Sequence, residues 1–227
     1  GQQPRDLYLR RFPHLQSNPL VHHNGPIAMN ARKILFLFLI NTAATQLLAQ
    51  ENFSRELAAP GNLRFTWIHG SISAKANTDV RIQVHRYNEH TYILRQNPAI
   101  HWEAPFMYLL MGNQQALLLD AGATEEEEFF PLIGVIDGIL QTWAHAHRVE
   151  IPDLTVMPLG SDQSQTAALD QFAERPATNI FAPGSEARAN VIADQQLDLG
   201  GRVLSVVPTP GLDDSAITIY DPWSDLL

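Results

Sequence analysis

The chain has 227 residues, 45% of them hydrophobic and 17% charged, the composition of an ordinary globular protein with room for one sizeable core. Its formal net charge of −9 disfavours nucleic acid and anionic membrane surfaces as partners. With no cysteine there are no disulfides or thiolate metal sites, so any metal would need nitrogen and oxygen ligands, for which nine histidines are present.

Residues 1–28 hold Arg10-Arg11, His22-His23, several prolines and little apolar periodicity, and are expected to be a disordered upstream segment. Residues 29–49 have another character. Met29 and the basic pair Arg32-Lys33 precede an uninterrupted apolar run over 34–40, and Thr42-Ala43-Ala44 and Leu47-Leu48-Ala49 follow as small-residue cleavage sites. That order is the layout of a secretory signal peptide, and its apolar core is too short to span a bilayer stably. It predicts a mature chain starting near Gln50, a secreted or periplasmic location, and no membrane span after cleavage.

Residues 50–79 read as a linker and N-terminal extension, and 80–227 as the folded domain. Residues 80–87 alternate apolar and polar as a half-buried strand should, with a hairpin partner at 91–95 and Asn88-Glu89 in the turn. Apolar runs at 106–111 and 116–120, separated by Gly112-Asn113, suit central strands covered on both faces. Thr124 is placed to cap a helix whose first turn is the run from Glu125 to Glu128, where carboxylates complement the macrodipole. Consecutive positions point in different directions round a helix, which makes this run a solvated helix start rather than a metal site. The helix continues with Ile133, Ile136, Ile139, Leu140 and Trp143 on one stripe, and ends in His145-Ala146-His147.

A buried strand at 154–157 leads into the loop Leu159-Gly160-Ser161-Asp162-Gln163-Ser164-Gln165. Residues 166–172 look helical and 179–182 form a short strand. A hairpin over 197–207 turns at Gly200-Gly201, and a loop at 209–215 precedes a last strand at 216–221. Strands with interspersed helices predict an α/β or α+β domain of layered sheets.

Three phrases in this order resemble the metallo-β-lactamase superfamily. They are Tyr108-Leu-Leu-Met-Gly112 with Leu117-Leu-Leu-Asp-Ala-Gly122, Asp198-Leu-Gly-Gly-Arg202, and Pro208-Thr-Pro-Gly-Leu-Asp-Asp-Ser215 running on to Asp221. The resemblance implies an αββα sandwich, here incomplete in its C-terminal half, because the chain stops where the family continues with a further metal-bridging segment. It also implies two zinc ions held by His-x-His-x-Asp-His in the loop after the third phrase-bearing strand, with a further histidine after Thr-Pro-Gly. Paired metals would polarise a scissile bond and lower the pKa of a bridging water. Anchored on Gln171-Phe172, those ligand positions fall on Gly160, Asp162, Ser164 and Gln165, and the later histidine on Leu212. None is histidine, and no histidine follows His147 anywhere in the chain. One carboxylate cannot supply the ligands that a catalytic zinc needs.

The expectation is therefore an exported metallo-β-lactamase-like protein that has lost its hydrolytic centre, with no assigned catalytic residue, no cofactor, and at most a partner covering the incomplete sandwich. Two alternatives stand beside it. Asp120, Asp162, Asp213 and Asp214 could gather at one end of the sheet and bind a hard cation or share a proton. The chain could also be a fragment of an active hydrolase. Serine chemistry has no support in a Gly-x-Ser-x-Gly elbow.

Overall fold

The computed structural model describes residues 50–227, apart from 55, 56, 58, 72 and 212. The segment expected to be disordered (1–28), the expected signal peptide (29–49) and Leu212 all lie outside the described residues.

Four strands form an antiparallel meander: β1 (Ile82–Asn88), β2 (Thr91–Gln96), β3 (Phe106–Met111) and β4 (Gln115–Leu119). Helix α1 (Leu132–His147) then crosses over, so that β5 (Asp153–Met157) lies parallel to β4, with β6 (Thr178–Ile180) parallel to β5. A helical crossover is what parallel pairing requires, whereas the meander needs only tight turns. The six strands follow one another in order β1 to β6. A second, antiparallel sheet holds β7 (Gln196–Asp198), β8 (Val203–Pro208) and β9 (Ile217–Tyr220).

The apolar runs of β3 and β4 work through the two-residue period of a strand. Leu109, Met111, Ala116 and Leu118 face one core with Leu132, Ile136 and Leu140 of α1. Their neighbours Leu110, Leu117 and Leu119 face a second core with Leu204, Val206 and Ile219 of the small sheet. The described residues thus stack in three layers, helix on six-stranded sheet on three-stranded sheet. Val203 and Val207, on the far side of β8, are exposed.

Two elements differ from expectation. Glu125 to Glu128 are exposed and lie in a loop, and α1 starts only at Leu132, after Pro131. The residue before a proline is pushed out of helical geometry, which delays the helix past the acidic run. Helix α3 (Glu186–Asp194) was not foreseen; between α1 and α3 only a single-turn helix, α2 (Gln163–Thr166), and a 3₁₀ turn at Leu169–Phe172 occur. The one buried side chain of α3 is Arg188, so it carries almost no apolar periodicity to detect. Among the described residues no helix is long and apolar enough to cross a membrane.

Within 50–68, Glu51, Phe53 and Asn62 are tied to the domain. Asn113 accepts from the Glu51 amide at 2.8 Å and donates to its carbonyl at 2.9 Å, and Phe53 is buried against Trp223. The amide of Asn62 donates to the Tyr87 carbonyl of β1.

Candidate functional site

The C-terminal ends of β4 and β5 bring together most of the positions singled out in the sequence. Asp120 follows β4 in left-handed geometry (φ 64°) and is 6% exposed. Its Oδ1 accepts from the Leu159 amide at 2.7 Å. Burial pushes this carboxyl up to about 6, against the hydrogen bonds from Leu159 and Gln165 and the charge of Arg188, which all favour the ionised form. The next residue ties the same loops by backbone: the Ala121 amide donates to the Gln165 carbonyl at 2.7 Å.

Asp213 reaches this loop from the segment before β9. Its Oδ2 accepts from the Ser161 amide at 2.5 Å and from Ser161 Oγ at 3.0 Å, while Oδ1 accepts from the amide and hydroxyl of Ser215, both at 2.7 Å. The Ser215 hydroxyl and the Ser161 and Ser215 amides hold the carboxyl well below the usual carboxylate range. A carboxylate so stabilised is a poor base. The Ser161 hydroxyl donating to it is therefore not an activated nucleophile.

Gly160 lies between these groups. A Cβ built on it would come within 2.5 Å of Gln165 Oε1 and 2.8 Å of Asp213 Oδ2. A histidine here would have to displace the ends of the Gln165 and Asp213 side chains from the positions they now hold. Asp162 is exposed at the N-terminus of α2 and makes no capping bond, Ser164 is half-buried, and Asp214 is exposed. Of the four aspartates, Asp120 and Asp213 flank Gly160 and Gln165 with their oxygens already accepting backbone amides. Asp162 and Asp214 take no part in those bonds.

Sequence reasoning missed the residue that underlies this cluster. Arg188 is 1% exposed. Its Nη1 donates to the Pro158 carbonyl, and its Nη2 to the carbonyls of Leu159 at 3.2 Å and Ser215 at 2.8 Å. The available signal was slight: Arg188 is the one basic residue between Arg175 and Arg202.

The donor set does not fit a dinuclear zinc centre. Among the described residues no three His, Asp or Glu side chains are placed to hold a metal ion. His85 contacts the Asn62 carbonyl through Nε2 at 2.6 Å and stacks on Phe65. His101 lines an open groove of about 590 Å³ together with Arg81, Thr124, Glu125, Phe129 and Gln163. His145 is exposed. Neither this groove nor the cleft described next is lined by Asp120 or Asp213.

A second cluster lies beyond the N-terminal ends of β4 and β5. A cleft of about 590 Å³ runs between Glu51, His90, Asn113, His147 and the loop from Arg148 to Asp153. The Trp143 indole N–H donates to His90 Nδ1 at 3.2 Å, which leaves the proton of neutral His90 on Nε2, 3.7 Å from Glu51. His147 does the reverse: Nδ1 donates to the Trp143 carbonyl at 2.8 Å. His90 Nε2 therefore presents N–H rather than a lone pair, which is the wrong face for a metal. Burial, together with the charges of His147, Arg202 and Arg86, lowers His90 to about 4.

No protein-family model matches the chain, and no curated protein does. Similar solved structures include a metallo-β-lactamase from Pontibacter korlensis, at 15% identity and a TM-score of 0.42, covering 62% of this chain and 67% of that one. A metallo-β-lactamase from Hirschia baltica aligns at 8% identity and a TM-score of 0.42, covering 63% and 67%. A flavo di-iron protein mutant from Thermotoga maritima aligns at 15% identity and a TM-score of 0.44, covering 62% of this chain and 39% of its own. The chain thus spans about two thirds of the first two solved chains and well under half of the third.

Proposed function

We propose that this chain is an exported metallo-β-lactamase-like domain that serves by binding rather than by metal-dependent hydrolysis. One observation carries the proposal. At the position of the first expected zinc ligand stands Gly160, and the space beside it is taken by Gln165 Oε1 and by the Asp213 carboxylate, which is committed to four hydrogen bonds. The three ordered sequence phrases and the stacking of two sheets support the ancestry. Export rests on the basic, apolar and small-residue order of residues 29–49. The exposed Val203 and Val207 on the small sheet are where a partner would cover the sandwich.

The test is metal analysis of the purified full chain, together with hydrolysis assays on β-lactam, lactone, thioester and phosphodiester substrates. Less than one equivalent of zinc and no turnover are expected. Two tightly bound equivalents with turnover would overturn the proposal. A calcium- or magnesium-dependent rise in Tm abolished by Asp162→Ala would instead favour a carboxylate cation site. Export has a separate test, in which expression with residues 29–49 in place should yield a chain processed close to Gln50.

A further inference from the structure

We propose that Arg188 does in this chain what a metal cation does in a metallo-hydrolase: its guanidinium ties together the two loops that would otherwise carry the ligands. The inference rests on the non-metal reading of the site given above and goes a step beyond it. Pro158 and Leu159 open the loop that carries Gly160, Asp162, Ser164 and Gln165, and both of their carbonyls accept from Arg188. Ser215 closes the loop that carries Asp213 and Asp214, and its carbonyl accepts from the same guanidinium at 2.8 Å. One buried cation therefore bridges both segments from beneath. Asp213 bridges them again, through Ser161 on one side and Ser215 on the other.

Geometry and charge both favour arginine here. The three carbonyls are divided between Nη1 and Nη2 of the planar guanidinium, whereas a lysine ammonium holds its three donors on one nitrogen and cannot spread them over the same span. A buried cation is costly unless its charge is compensated. The carboxylates whose charge acts on Arg188 are Asp213 and Asp120, which flank Gly160 and Gln165. The helix that delivers it is otherwise barely amphipathic: Arg188 is the only fully buried residue of α3, and the Ser185 hydroxyl accepts from its amide. A divalent cation entering the cluster would meet a guanidinium among carbonyls that already have donors.

The experiment compares the full-length wild type with Arg188→Met and Arg188→Lys by thermal unfolding, with and without chelator or zinc, and by amide hydrogen exchange. Wild-type Tm should respond to neither chelator nor zinc. Arg188→Met should lower Tm by roughly 10 °C. Arg188→Lys should recover less than half of that loss, and exchange at the Ser161 and Ser215 amides should quicken in both variants while Leu109 in β3 stays protected. If Arg188→Met fails to fold, the exchange pattern of Arg188→Lys decides: acceleration confined to these loops supports the inference, and exchange unchanged from wild type overturns it. Arg188→Met melting with the wild type would overturn the inference while leaving the non-hydrolytic reading intact. Zinc-loaded wild type destabilised by chelator would overturn that reading itself.

Discussion

Gly160 shows how one side chain, or the lack of one, decides what a site can do. Even a methyl group there would need the Gln165 and Asp213 side-chain ends to shift away from it. Because only side-chain ends need to shift, Gly160→Ala should cost no more than about 1 kcal/mol, read as a slightly lower urea midpoint at unchanged slope. Gly160→His should be worse tolerated and should not restore zinc binding. Two other residues set the pH dependence, with opposite signs. His90 has an ordinary value of 6.5 and is lowered to about 4, so between these values the unfolded chain holds the proton and the fold does not. Its contribution is complete above pH 6.5 and is lost as pH falls towards 4, on the order of 3 kcal/mol in all. Asp120 is raised from 3.8 to about 6, so there the fold holds the proton and the unfolded chain has released it. Its contribution is present below pH 3.8 and is lost as pH rises through 6, by a similar amount, on the order of 3 kcal/mol. The two slopes largely cancel between pH 4 and 6. Asp120→Asn retains an oxygen for the Leu159 amide and removes one of them. Its unfolding free energy, followed by urea titration at several pH values, should therefore rise steeply from pH 4 to 6 and exceed the wild type above pH 6. A variant whose stability tracks the wild type at every pH would show that Asp120 is not held protonated by burial.

Among the elements, the strands were the most legible and the loops the least. Ile82, Tyr87, Leu94, Leu109, Leu117 and Ile219 stand in runs of four or more residues whose apolar content reports burial, although in β1 Val84 is exposed and His85 buried, and β1 to β5 and β7 to β9 lie within a residue or two of their expected places. α1 was legible by its apolar stripe, except at its start, where Pro131 overruled the favourable acidic turn. α3 was illegible because its buried side chain is charged. The loop at 159–165 was singled out by the phrases around it, and its lack of histidines needs no coordinates. The phrase Asp198-Leu-Gly-Gly-Arg202 proves structural. Asp198 Oδ1 accepts the Gly200 and Gly201 amides and shapes the turn between β7 and β8. The tie between loops also yields a prediction: Asp213→Ala should quicken hydrogen exchange at Ser161 and Ser215 and open the 159–165 loop to limited proteolysis, leaving the β1–β4 meander protected.

For the whole molecule, the packing of one sheet on the other depends on Arg202. It is 1% exposed and donates to the His90 and Met111 carbonyls at 2.8 and 2.9 Å, to Thr91 Oγ1 at 2.8 Å, and to Asp221 Oδ2 at 2.5 Å. Phe53 and Trp223 cover its guanidinium at 5.6 and 5.0 Å. Removing one partner strands the other charge in the interior. Arg202→Met or Asp221→Asn should each cost about 3–5 kcal/mol in urea unfolding, and the double variant should cost less than the sum. The sequence by itself determined the strand-rich α/β architecture, because alternation and run length are local records of which side of a sheet is buried. It also determined that no histidine stands in the expected ligand loop. Only the tertiary structure decided what surrounds this loop: Gln165 and Asp213 meet at Gly160, and Arg188 ties the carbonyls of Pro158, Leu159 and Ser215. Long-range convergence of polar atoms leaves no periodic trace along a chain, since each hydrogen bond is specified by the fold as a whole rather than by neighbouring residues.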